Sequence, residues 1–169
     1  MIPVMGFAAP SGTGKTTLME QVIGALAKRG YKVAAVKHGH HPADPDVPGK
    51  DTHRFRQAGA RTVLFDGPGL WFMIQSDTNA PSLDDHLARL QDHHLILVEG
   101  YKDHDHPKIL VSRSDSNPKA IAPLSHVVGV ACDVVPDPLP EGAVVLPLDS
   151  PAQVARFIVE HFGLSLGRS

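Results

Sequence analysis

Gly12 and Gly14, followed by Lys15, Thr16 and Thr17, form a group whose types and spacing suit phosphate chemistry. The full run Ala9-Pro10-Ser11-Gly12-Thr13-Gly14-Lys15-Thr16-Thr17 fits x-x-x-x-x-G-K-[ST], with Ala9 where a first glycine is usual. Lacking a Cβ, the two glycines let backbone N–H groups, including those of Thr13 and Thr17, curl around phosphate oxygens. Lys15 is spaced to reach the β- and γ-phosphates, and the Thr16 hydroxyl to ligate Mg²⁺. Such a loop works only between a strand and a helix. Ile2 to Ala8 is mostly apolar, and Leu18, Val22, Ala25 and Leu26 recur at helical spacing. That helix would turn its unpaired N–H groups and positive dipole end toward the same anion. A nucleoside triphosphate with Mg²⁺ is the expected ligand.

Leu95-Ile96-Leu97-Val98-Glu99-Gly100 carries the second signal. Four apolar residues ending in a carboxylate describe a buried strand that delivers one charge at its carboxyl edge. A phosphate-loop protein needs a carboxylate there to hold Mg²⁺, directly or through water, and Glu99 is the candidate beside Thr16. The third group is Lys37-His38-Gly39-His40-His41, followed by Asp44, Asp46, Lys50 and Asp51. Lys37, His38, His40, His41, Lys50 and Asp51 suit the binding of an anion or second substrate. A polar loop and a transition-metal site remain alternatives, although the spacing matches no closed zinc site. His104 and His106, with Asp103 and Asp105, read as an exposed polar loop.

The positioning elements follow from periodicity. Short apolar runs at 33–36, 95–98, 109–111, 127–131 and 144–146 read as buried strands, and 51–58, 82–91 and 152–162 as helices. Residues 61–65 and 70–74 flank Asp66-Gly67-Pro68-Gly69 and read as a β-hairpin. Alternating strands and helices predict an α/β fold of three layers, with a mainly parallel sheet of phosphate-loop NTPase type and an added hairpin. Ligands in such sheets sit beyond the carboxyl ends of the strands. The 169 residues, 42% of them hydrophobic, suit a single domain, 1–169. A net charge of −2 offers no footprint for nucleic acid, and no apolar run is long enough for a membrane span. The single Cys132 excludes an internal disulfide and fits a cytoplasmic protein.

Taken together, the loop, the Lys37-His38-x-His40-His41 segment, Pro48-Gly49-Lys50-Asp51, Ala58-Gly59-Ala60 and Leu95 to Lys102 resemble the MobB family. These motifs span residues 1–102 in order. The resemblance implies a P-loop α/β fold, a homodimer and GTP binding with at most slow, Mg²⁺-dependent hydrolysis. It also implies a role in molybdenum cofactor biosynthesis, assisting a MobA-type guanylyltransferase that joins GMP to molybdopterin. Molybdopterin itself or a molybdoenzyme stays open as a further partner.

Guanine selection has no obvious motif. The N-K-x-D sequence of many GTPases is missing, since Asn117-Pro118-Lys119-Ala120 has the wrong order and no acid. Asp133, just past the 127–131 strand, is the candidate acceptor for guanine N1–H and N2–H. No residue matches a strong general base or a cis arginine finger, so the catalytic residue is unassigned and slow hydrolysis is expected. Two other classes remain. A nickel-insertion metallochaperone would use this fold, but no histidine-rich tail or cysteine metal motif accompanies it. A small-molecule kinase would need a lid with arginines, and Arg54, Arg56 and Arg61 lie in a helix and a strand start. The hairpin holds the only tryptophan, Trp71, beside Phe72 and Phe65. Alternation leaves part of each strand facing away from its own core, which suggests pairing with a second copy.

Overall fold

The computed structural model describes residues 2–10, 12–39, 43–76, 81–114 and 124–166. Its elements in chain order are β1 (Val4–Ala8), α1 (Lys15–Lys28), β2 (Val33–Lys37), α2 (Asp51–Gln57), β3 (Thr62–Gly67), β4 (Leu70–Gln75), α3 (Leu83–Leu87), β5 (Leu95–Glu99), β6 (Lys108–Ser112), β7 (Val127–Cys132), β8 (Val144–Pro147) and α4 (Pro151–His161). Ser11, His40, His41 and the 117–120 segment lie outside the described residues. The chain divides into two compact units, Met1–His38 with Leu83–Ser169, and Gly39–Ser82.

The larger unit is built on β5, whose apolar run leaves no residue suited to water and which is buried throughout. It lies in a six-stranded sheet ordered β2-β5-β1-β6-β7-β8, with every pairing parallel. Parallel neighbours require crossovers, and these place helices on the two faces. Met5, Phe7, Leu95, Leu97, Ile109 and Val111 point to one face, against Leu18, Val22 and Leu26 of α1 and Val154, Ala155 and Ile158 of α4. Ile96, Val98 and Ala34 point to the other, against Leu83 of α3 with Leu87 and Leu90. This is the three-layer α/β arrangement expected. Each large apolar side chain so buried contributes roughly 1.5–3 kcal/mol.

The helix expected over 82–91 is shorter than its periodicity suggested. Arg89 N–H bonds to His86 O and Leu90 N–H to Leu87 O, so the chain tightens to i→i+3 bonding after Leu87. Leu83, Leu87 and Leu90 still reach the sheet. Among the described residues no helix is long and apolar enough to cross a membrane.

The connection from β5 to β6 carries a correction. His106, read as part of an exposed loop, is only 4% exposed. Its ring lies against Gly6 of β1, where any Cβ would collide with it. Its Nδ1 is 3.0 Å from His104 Nδ1, His104 Nε2 is 3.2 Å from Asp84 Oδ1, and His106 Nε2 is buried with no partner among the described residues. Beside it Lys108, 1% exposed, donates from Nζ to the carbonyls of His104, His106 and Ser125 at 2.6, 3.0 and 3.2 Å. Burial, followed by the Lys108 charge, lowers the His106 pKa from 6.5 to about 4. Between those values the unfolded chain binds a proton that the folded chain refuses. Stability is therefore full above pH 6.5 and declines as pH falls toward 4, by about 3 kcal/mol from this group. His106→Leu should flatten that decline in urea midpoints measured between pH 7 and 4. An unchanged acid slope would remove His106 from the account.

The smaller unit holds α2 and the antiparallel β3–β4 hairpin. Arg56 ties the segment before α2, bonding from Nη1 to Asp44 Oδ1 at 2.7 Å and Asp46 Oδ2 at 3.4 Å. Asp46 also accepts from the Thr52 hydroxyl at 2.8 Å. These carboxylates thus serve local structure. In the hairpin, the register Val63↔Ile74 and Phe65↔Phe72 sets one face, with Phe65 and Phe72 stacked at 5.1 Å. Leu64↔Met73 and Asp66↔Trp71 set the other, where Leu64, Met73 and Trp71 are 59%, 44% and 66% exposed.

Candidate functional site

The loop between β1 and α1 turns through Gly12 at φ +83° and Gly14 at φ +79°, a backbone region costly for residues bearing a Cβ. Gly14 stands at the N-cap of α1, with no side chain capping the helix, so the first-turn N–H groups are not claimed by a cap. Thr13, 3% exposed, closes the turn by donating its hydroxyl to Pro10 O at 3.0 Å. Lys15 and Thr16 open the helix, and Thr17 follows on its exposed side.

Three strands deliver the facing wall. The parallel register sets Phe7 of β1 beside Glu99 of β5, and Glu99 beside Lys37 of β2. Glu99 is 8% exposed at the carboxyl end of its strand. The Lys15 ammonium bonds to Glu99 Oε1, the Thr16 hydroxyl donates to the same oxygen at 3.1 Å, and Lys37 Nζ stands 3.8 Å from Oε2. Burial pushes the Glu99 pKa up, but the bond and charge of Lys15, then Thr16 and Lys37, outweigh it and leave it below the ordinary range. The carboxylate is therefore ionised at neutral pH. A hydroxyl and a carboxylate oxygen converging beside a glycine-lined loop are a donor set suited to a hard divalent cation and the phosphates it bridges.

His38 packs its ring edge-on against Tyr101 at 4.4 Å, and its N–H bonds to Glu99 O at 2.8 Å. Lys50 and Asp51 belong to the smaller unit, where Lys50 precedes α2 and Asp51 stands 3.5 Å from Arg54. Among the described residues no group of three His, Cys, Asp or Glu is arranged to hold a metal ion.

At the ends of β6, β7 and β8 lies a cavity of about 360 Å³, lined by Arg113, Cys132, Asp133, Pro147, Leu148 and Asp149. Asp133 accepts from Ser114 N–H at 2.9 Å, the Ser114 hydroxyl at 3.0 Å and Val134 N–H at 2.8 Å. Desolvation raises its pKa, and these bonds, led by the Ser114 hydroxyl, overcome that and hold it low. A carboxylate has about four lone-pair sites, so three are engaged here. Sequence reasoning passed over Arg113 and Asp149. Arg113 follows an apolar strand in the manner of Glu99, which was the available signal.

The family model of MobB, described as molybdopterin guanine dinucleotide synthesis protein B, matches residues 4–133. The chain is 38% identical over 166 residues to the molybdopterin-guanine dinucleotide biosynthesis adapter protein of Escherichia coli (strain K12), covering 95% of this chain and 93% of that protein. It is 35% identical over 167 residues to the protein of the same description in Haemophilus influenzae, covering 95% and 92%. The crystal structure of a MobB homolog from Bacillus stearothermophilus superposes with a TM-score of 0.70 at 26% identity, over 94% of this chain and 96% of that one. A second crystal structure of a molybdopterin-guanine biosynthesis protein B has the same fold, with a TM-score of 0.73 at 23% identity over 94% and 99%.

Proposed function

This chain belongs to the MobB family, and from that premise we propose that it is a GTP-binding adapter in molybdopterin-guanine dinucleotide biosynthesis. The observation that carries the proposal is the convergence of Lys15, Thr16 and Glu99 at the carboxyl ends of β1 and β5. The N–H groups of the 12–17 loop and the α1 dipole would cradle the phosphates. Bound Mg²⁺ would neutralise developing charge on the phosphates, with Thr16 and Glu99 as its protein ligands. Lys15 is held against Glu99 and Lys37 flanks it, so two cations are gathered where triphosphate charge would arrive. Asp133, at the carboxyl end of β7, is the candidate guanine acceptor, with three of its about four lone-pair sites engaged among the described residues. Hydrolysis would be slow, since no residue of the sequence matches a strong general base or a cis arginine finger. The GTP-loaded adapter would assist the MobA-type guanylyltransferase.

Glu99→Gln tests the cation half of this site. It should weaken GTP binding about tenfold or more with Mg²⁺ present, and far less in EDTA, because only the metal contact loses its charge. Equal losses in both conditions would make Glu99 a structural residue.

The active form is a homodimer on this proposal. A two-stranded hairpin is marginal alone, and its Leu64, Trp71 and Met73 face is apolar and exposed. A second copy placed on that face would form a self-complementary interface. Because Phe72 points to the opposite face and stacks on Phe65, the incisive pair is Trp71→Glu with Met73→Lys. Sedimentation should find this variant monomeric and still able to bind GTP. A variant that stays dimeric, or a parent chain already monomeric at micromolar concentration, contradicts the interface.

A further inference from the structure

Arg113 sits one residue beyond β6, exposed, yet it reaches across to the phosphate loop. Its Nε–H donates to Thr13 O at 2.8 Å. A Cβ on Gly14 would lie 3.2 Å from Arg113 Nη2, so the guanidinium covers one side of the loop where that glycine leaves room. The Thr13–Gly14 peptide is planar and trans, so its carbonyl and its N–H point in opposite directions. Anchoring the carbonyl to Arg113 therefore turns the Gly14 N–H to the side away from Arg113. Among the described residues, nothing accepts a hydrogen bond from that N–H. The same guanidinium also lines the cavity of about 360 Å³ at the ends of β6, β7 and β8. One side chain thus borders two spaces, the loop and the cavity.

We propose that Arg113 is a positioning residue that couples them: it sets the Thr13–Gly14 peptide so that the Gly14 N–H meets phosphate, and its guanidinium lines a cavity that takes the purine base. This rests on the nucleotide-binding function above. A planar cation suits the face of a purine, and the same cavity lining includes the Asp149 carboxylate. Asp133, besides the acceptor role proposed above, braces the Ser114 turn next to Arg113.

Tripolyphosphate, which has no base, and GTP separate the two roles. With Mg²⁺ present, Arg113→Met should weaken tripolyphosphate about tenfold, the scale of one lost charge-assisted bond, and GTP by a further few-fold. Arg113→Lys keeps a charged donor for Thr13 O but not the planar wall. It should restore most tripolyphosphate affinity and leave the extra GTP loss in place. Because Arg113 is exposed, thermal midpoints of the three proteins should agree closely. Tripolyphosphate bound equally well by Arg113→Met overturns the coupling, as does an equal loss for both ligands. A lowered midpoint with unchanged affinities also overturns it, making Arg113 a purely structural group. A wild-type chain that binds neither ligand would instead overturn the nucleotide function itself, and that arm stands apart from the variants.

Discussion

Lys15→Ala is expected to weaken GTP binding by about a hundredfold or more, because it deletes the ammonium that would bond two phosphates, each such bond being worth roughly 1.5–3 kcal/mol. The same change also touches the ligand-free protein. Lys15 is bonded to Glu99, and the two side chains are 18% and 11% exposed. Removing the lysine leaves Glu99 with the Thr16 hydroxyl and a Lys37 ammonium 3.8 Å away. Folding stability should fall by about 1–3 kcal/mol, less than for a fully sealed pair because Lys37 still screens the charge. Calorimetric titration checks the affinity, and urea unfolding checks the stability. A variant that binds GTP within a few-fold of the parent would place the phosphates elsewhere.

Lys108→Met should produce the largest loss of stability, about 3–5 kcal/mol, because three carbonyls, one fully buried and two partly so, lose their common donor. Methionine matches the stem of lysine, so the cost isolates the ammonium rather than a void. The pKa of Lys108 is lowered by burial, with Asp105 and Asp103 working the other way. No carboxylate pairs with it directly among the described contacts, so the three carbonyls carry the charge. The change should loosen the 100–107 connection, which begins immediately after Glu99. Urea midpoints would report the loss. A drop under about 1 kcal/mol would mean that water replaces the ammonium at all three carbonyls.

The parts of this molecule legible in its sequence are those decided locally. An unbroken Leu95 to Val98 run has no face for water and lies inside the sheet, paired on both sides by β2 and β1. The glycine and lysine spacing of residues 12–17 needs only a strand before and a helix after, and both are present. Leu83, Leu87 and Leu90 do pack as one apolar face, but that spacing is shared by a helix and by a helix tightening into an i→i+3 turn. The burial of His106 was illegible for a different reason. Asp103 to His106 is polar in isolation, and only the pairing of Gly6 with Lys108, about a hundred residues apart, brings the imidazole under cover. Arg113 is a similar case. The rule that ligands gather at carboxyl ends of strands pointed to the residues after β6 as much as to Glu99. What it could not supply was the partner, Thr13 O, which depends on β6 lying beside β1. The paired use of Asp44 and Asp46 by Arg56 likewise turns on a helix folding back over its own leader.

Equilibrium titration of GTP into the purified full-length chain, with and without Mg²⁺ and repeated with ATP, tests the central claim most directly. Saturable binding of one GTP per chain, strengthened by Mg²⁺ and tighter than ATP, is the predicted result. No saturable GTP binding up to millimolar concentration would contradict it.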